Sequence, residues 1–230
     1  RRAAVIVPSL WTRCCLMKAE ELPRRRADLQ DVLRWRLKKL LPIAPADLRI
    51  AATVQNVESD LGHVLCCTIS ERAVAQLESA FEGAGIIPGL IVPRVLALVL
   101  EPTAKGPRRV IVQQEDSVLS MAVIADGAVR LVRSKPLPSS GGSWAGVERE
   151  ISLAMSYIRN SMAIDGAVEA VVSMADEESI VSMKGWLEHQ PNISVRIPEG
   201  GQICPDMHMA ATLGSARLAP MAAVLNGGAP

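Results

Sequence analysis

A basic, leucine-rich stretch that stops at a proline constrains this chain more than any other segment. Between Arg24 and Pro42, residues Leu29, Val32, Leu33, Leu37, Leu40 and Leu41 recur at the spacing of one helix face. Arg34, Arg36, Lys38 and Lys39 occupy the remaining surface. Pro42 ends the pattern, because the residue before a proline is pushed out of the helical region. The spacing predicts a basic amphipathic helix over 26–41. Its apolar stripe has to be buried against something, and a strand-like run, 48–56, follows at once.

Composition narrows the function classes. Apolar residues make up 49% of the 230 residues, enough for a large core, so most of the chain folds. A net charge of +1 supplies no global field toward nucleic acid, and one Tyr and one Phe offer few stacking platforms. No nucleic-acid partner is expected. No run of 18 apolar residues exists to span a bilayer. The chain starts at Arg1 rather than Met and ends in Asn-Gly-Gly-Ala-Pro, which reads as a piece of a longer protein. The five cysteines, Cys14, Cys15, Cys66, Cys67 and Cys204, are odd in number and include two adjacent pairs. Strand neighbours point to opposite faces, so neither adjacent pair bridges itself. Without a Cys-x-x-Cys motif, they read as buried small hydrophobes in a reducing cytosol.

The pattern along the chain alternates. Strands are expected at 3–9, 12–18, 48–56 and 62–69, and a helix from Glu71 to Glu82 with Ser70 as N-cap and Gly83 and Gly85 at its end. Residues 94–100 fit a short helix or a strand. The Pro/Gly-rich segment 101–108 is the linker candidate. Beyond it lie a meander of strands at 109–114, 117–125 and 128–134, with Asp126-Gly127 as a tight hairpin turn. A long helix at 144–163 presents Val147, Ile151, Met155, Ile158 and Met162 inward. A strand at 168–173, a helix at 176–188, a strand at 193–197 and a helix near 207–216 complete the reading. This is an α/β chain in two halves, 1–104 and 105–230.

Catalytic signatures are missing. There is no Walker-type loop, no Gly-x-Gly-x-x-Gly after a strand and no Gly-x-Ser-x-Gly elbow, although Ser139, Ser140 and Ser143 lie near glycines. Gly141-Gly142 and Gly200-Gly201 read as turns. His63, His189 and His208 are far apart in sequence, and His189 fits a helix C-terminus, where it complements the dipole. Asp116, Asp126, Asp176, Glu177 and Glu178 stand in turns and helix starts, where caps account for them. No catalytic, cofactor or metal residue is assigned. The basic helix face has two readings: a solvated surface, or a contact to lipid headgroups or an acidic partner.

Several segments together resemble the PilM family of type IV pilus assembly and the cytoplasmic part of GspL of type II secretion. A strand ends in proline at Val5-Ile6-Val7-Pro8, and an amphipathic helix runs from Trp35 to Pro42 ahead of a strand. Ala84-Gly85-Ile86-Ile87-Pro88 fits the family's Gly-(Leu/Ile)-x-Pro phrase, with Val95 to Leu98 as the next helix. Val147 to Met162 resembles the family's Glu-Ile…Ser…Tyr helix before a strand.

The resemblance implies a two-lobed actin-like, ribonuclease H-like α/β fold, incomplete at its N-terminus. It also implies a cytoplasmic scaffold, peripheral at the inner membrane, that binds the cytoplasmic tail of a PilN-like membrane protein. A motor ATPase or an anionic lipid surface is a further implied contact. Arg34, Arg36, Lys38 and Lys39 are the candidate contact residues. ATP-binding relatives carry Asp-x-Gly phosphate hairpins and a Gly-Gly adenosine loop. This chain has no opening hairpin of that kind. It has Gln113-Gln114-Glu115-Asp116 at the second and Ser173-Met174-Ala175-Asp176 at the third. A glutamate there repels phosphate, and the missing glycine blocks close backbone approach. The expectation is therefore no cofactor and no catalysis. The rival within the superfamily is an ATPase or sugar-kinase-like enzyme using ATP and Mg, with Asp116 or Asp126 near the metal. A second rival is a filament-forming segregation protein with a salt-sensitive DNA complex.

Overall fold

The structure, a computed structural model, describes residues 2–23, 25–40, 44–57, 60–100, 108–115, 117–137, 144–162, 166–174 and 177–197. These fall into two compact units that divide between Arg94 and Val95. Residues 101–107 of the expected linker, the Ser139–Ser143 region, Asp116, Asp176, the second Gly pair, Cys204, His208 and the helix expected near 207–216 lie outside the described residues, and Arg108 opens a strand.

In the first unit, strands β1 (Arg2–Val7) and β2 (Thr12–Lys18) flank a single 3-10 turn. Helix α1 (Arg26–Leu40), the antiparallel strands β3 (Leu48–Val57) and β4 (Asp60–Ser70), helix α2 (Glu71–Gly83) and strand β5 (Ile87–Pro93) follow. β1 pairs with β5 in parallel, and β2, β4 and β3 form a separate antiparallel sheet with β4 in the middle.

The alternation of strand side chains sorts this sheet into two faces. One presents Met17, Leu48, Ile50, Val64 and Cys66, and on it lie Leu33 and Leu37 of α1, both fully buried. The opposite face presents Ile69, which packs with Val74 of α2 and Val7 of β1. The predicted stripe of α1 is thus what seats it.

Local chemistry fixes the ends of α2. Ser70 holds the N-cap position, although its hydroxyl makes no cap bond. At the other end Gly85 adopts φ +70°, Ile86 N–H donates to Phe81 O and Gly85 N–H to Glu82 O. That is a Schellman stop, and it needs a residue that tolerates a left-handed backbone.

Helix α3 (Arg94–Ala97) runs across the division into the second unit and is continued by one 3-10 turn at Leu98–Leu100, so the ambiguous 94–100 segment is helical. Strands β6 (Arg108–Glu115), β7 (Val118–Ala125) and β8 (Ala128–Pro136) form the meander. Helix α4 (Trp144–Met162), strand β9 (Val168–Ser173), helix α5 (Glu177–Glu188) and strand β10 (Ile193–Arg196) then alternate. The five strands make one sheet, in the order β10-β9-β6-β7-β8, parallel through β10, β9 and β6 and antiparallel through β6, β7 and β8.

The β7–β8 turn has Asp126 at φ 53° and Gly127 at φ 73°. Both central residues are left-handed, as a two-residue hairpin that follows strand twist requires. Val147, Ile151, Met155 and Ile158 of α4 and Met183 and Leu187 of α5 meet Val110, Val112, Ala170 and Val172 in one cluster, so both helices cover the same sheet face.

Candidate docking site

The four cations of α1 do not share one face. At about 100° per residue, Arg34 and Arg36 project roughly 160° apart. Both are half-buried, one on each side of the stripe set by Leu33 and Leu37. Arg34 lies near enough to Glu71 for its charge to help lower that carboxyl. Lys38 and Lys39 are exposed, and the Lys39 ammonium sits 4.2 Å from the centroid of the Trp35 ring. Trp35 is 59% exposed, with Asp28 and Asp31 also exposed on this helix. The outer face of α1 is therefore an aromatic–lysine patch with acidic company rather than a uniformly basic stripe.

A second surface joins the start of α2 to the 3-10 turn after β1. Trp11 is 51% exposed and Leu10 is 42% exposed. Trp11, Ser70, Ala73, Gln76 and Leu77 line an open groove of about 440 Å³, within the range of small-ligand and peptide sites. Ala73, Gln76 and Leu77 share one face of α2 through their helical spacing, so the groove wall there mixes aliphatic groups with an amide. The rim is Trp11, carried there because Pro8 accepts the turn's hydrogen bond from Trp11 N–H at 3.0 Å.

Beneath α2, Arg49 of β3 ties two of its turns together. Its guanidinium donates through Nε to Glu71 at 2.8 Å and through Nη2 to the same carboxylate, and through Nη1 to Glu78 at 3.1 Å. Glu71 and Glu78 are seven residues apart, two turns on one helix face. The Arg49 hydrogen bonds hold the Glu71 carboxyl below its ordinary value, and the two carboxylates hold the Arg49 guanidinium above its own. Arg49 and Glu78 also help line a small, partly open cavity of about 30 Å³ with Thr12, Cys67, Ile69 and Leu90. That is room for about two waters.

In the second unit, β6 and β7 pair up to Glu115 opposite Val118. The turn between them is therefore short, and an acidic residue stands on its last rung. Gln113, two residues back, is 1% exposed. Asp126 closes the other hairpin and pairs with Arg130 at 3.3 Å. His63 lies in β4 of the first unit, and in the second His189, at the end of α5, donates from Nδ1 to Gly185 O at 2.5 Å. Among the described residues no three His, Cys, Asp or Glu side chains gather as metal ligands. No described helix is long and apolar enough to cross a membrane.

Comparison with known proteins now places the fold. No protein-family model matches the chain, and no curated protein matches its sequence. Solved structures do. The chain is similar to a structure of the PilM-PilN type IV pilus biogenesis complex, at 12% identity and a TM-score of 0.61, over 100% of this chain and 80% of that one. It is similar to the cytoplasmic domain of EpsL, an inner membrane component of the type II secretion system of Vibrio cholerae. There the identity is 10% and the TM-score 0.55, over 95% of this chain and 77% of that one. The architecture is the actin-like α/β fold of these PilM- and GspL-like proteins, as the resemblance implied.

Sequence reasoning missed the Trp11 groove and the Arg49 tie. Both depend on which strands pair, and neither leaves a local periodic signal. The Glu71/Glu78 spacing was the one available hint of the tie.

Proposed function

We propose that this protein is a scaffold of the inner-membrane assembly platform of a type IV pilus or type II secretion machine. It acts on the cytoplasmic side and binds the short cytoplasmic tail of a PilN-like membrane protein with its first unit. The observation that carries this reading is the alignment of the whole chain with a PilM-PilN complex structure. The groove at Trp11 supports it, since an exposed tryptophan beside a helix face of aliphatic and amide groups suits an extended peptide segment. Lys38, Lys39, Arg34 and Arg36 flank the bound assembly as contacts to acidic groups on that complex or to anionic headgroups.

The second unit supports a reading of binding rather than catalysis. A phosphate hairpin presents glycine backbone amides to the ligand, whereas Gln113 is buried here and Glu115 stands at the turn. The proposed nucleotide site is degenerate.

The test is titration of this protein with a PilN-like cytoplasmic tail peptide, followed by fluorescence polarisation. The reading expects saturable binding that Trp11→Ala weakens at least about tenfold, the cost of one truncated anchor, with the melting temperature unchanged. Equal affinity of Trp11→Ala and wild type would move the contact elsewhere, and no binding at all would remove the reading.

A further inference from the structure

β2 and β4 bring four cysteines into two directly opposed pairs. Cys14 stands opposite Cys67, and Cys15 opposite Cys66. Adjacent rungs point to opposite faces, so the two pairs are on different sides of the sheet. Cys15 and Cys66 lie on the α1 side, where Cys66 is fully buried among Leu33, Leu37 and Val64. Cys14 and Cys67 lie on the other side, both half-buried, with their sulfurs 3.2 Å apart. Cys67 also lines the small cavity that holds Arg49 and Glu78. Directly opposed residues of an antiparallel pair have Cα atoms about 4.5–5.5 Å apart, inside the range a disulfide spans.

We propose that Cys14 and Cys67 are a redox site: a cross-strand thiol pair that low-molecular-weight disulfides convert reversibly to a disulfide, clamping the edge strand β2 onto β4. The Cys14 thiolate attacks one sulfur of the small disulfide and expels one small thiolate. Cys67 then gives up its proton and attacks the Cys14 sulfur of the mixed disulfide, expelling the second. Two protein thiols lose two electrons and two protons, and the small disulfide gains them as two thiols.

Access separates the two pairs. Cys14 sits on an edge strand of the sheet, whereas Cys66 is closed off by α1. The Cys14 sulfur and burial push the Cys67 thiol well up, which keeps it protonated until the mixed disulfide forms. The Cys15 sulfur and burial raise Cys66 likewise, while the hydrogen bond with Cys66 lowers Cys15, so the cover of α1 rather than acidity is what keeps that pair reduced. The bond would close a loop containing α1, so the oxidised chain gains stability chiefly by losing unfolded-state freedom.

The experiment equilibrates the full chain, with Cys204→Ser to remove the fifth thiol, in glutathione buffers of rising oxidised fraction. Mass spectrometry after alkylation and peptide mapping reads the product. The expected result is loss of two alkylatable thiols, a Cys14–Cys67 linked peptide, full reversal by dithiothreitol, and a melting temperature raised by at least about 5 °C. Cys14→Ser is expected to abolish the link while melting like the reduced parent, and Cys15→Ser to leave it intact. Linkage through Cys15–Cys66 instead, mixed glutathione adducts that never resolve, or four thiols still alkylated in fully oxidised buffer would each overturn the proposal.

Discussion

The two units solve the burial problem differently. The second lays two helices on one face of a five-stranded sheet, over a cluster that runs from Val110 to Leu187, and buries Ile111, Ala122, Ile124 and Val171 on the sheet's other face. The first divides its apolar residues between the two faces of a three-stranded sheet, with α1 on one and α2 with β1 and β5 on the other. Between these clusters it keeps a polar tie at Arg49, opposed cysteines and a small cavity. Both units show apolar side chains to solvent, Leu10, Trp11 and Trp35 in the first and Leu153, Tyr157 and Val181 in the second. A large sheet with a large cluster suits a framework. A small sheet with small clusters leaves edges, grooves and chemically distinct side chains near the surface, and there the docking and redox proposals both fall.

The strongest way to break this contrast is to cut both cores. Ile151→Ala, at a fully buried position of the large cluster, is expected to cost about 3–5 kcal/mol. Leu33→Ala under α1 is expected to cost less, about 2–3 kcal/mol, because a smaller cluster collapses more easily around the void. Urea denaturation checks both. Equal costs would erase the distinction.

A smaller effect probes backbone rather than packing. Gly127→Ala and Gly85→Ala place a side chain at φ 73° and φ 70° with open space around it, so strain alone acts. Each is expected to cost about 1 kcal/mol, read as a shift in the denaturation midpoint.

The acid limb sharpens the comparison further. Glu71 in the first unit and Glu150 in the second both sit below the ordinary carboxyl value of 4.5. The Arg49 hydrogen bonds lower Glu71, and the Lys135 hydrogen bond lowers Glu150. Their contribution is complete above the unfolded value and is lost as pH falls through the lower folded one. Stability therefore drops on acidification below about pH 4.5. Arg49→Met is expected to remove about 1 kcal/mol at pH 7 and flatten that drop. The figure is discounted because Arg49 and Glu71 are 32% and 44% exposed. Lys135→Met, whose lysine is 44% exposed, should remove less. Thermal melts from pH 3 to 7 decide.

The smallest effect on stability belongs to Lys38→Glu with Lys39→Glu, within about 0.5 kcal/mol, since both are exposed. Their reversal is expected to slow association with the partner tail or with anionic vesicles, measured by stopped-flow at low salt.

Much of the framework was legible because its signals are local. Asp126-Gly127 names its own turn, Gly85 its helix stop, and Val147, Ile151 and Ile158 the buried face of α4. The site was less legible because it is made by register. Cys14 and Cys67 are 53 residues apart, and nothing in either neighbourhood says they meet. Reading each adjacent pair alone suggested inert burial; the strand pairing turned both into cross-strand partners. The cations of α1 are a similar case. Their clustering in sequence suggested one patch, while the helix sends Arg34 and Arg36 to opposite flanks of its buried stripe.

Calorimetric titration with Mg·ATP tests the scaffold reading most directly, because it asks whether the second unit is framework or active site. A degenerate actin-like scaffold predicts no heat of binding up to millimolar ATP and no rise in melting temperature. Micromolar binding with a matching thermal shift would contradict it, and would make the hairpin at Gln113 to Glu115 part of a working nucleotide site.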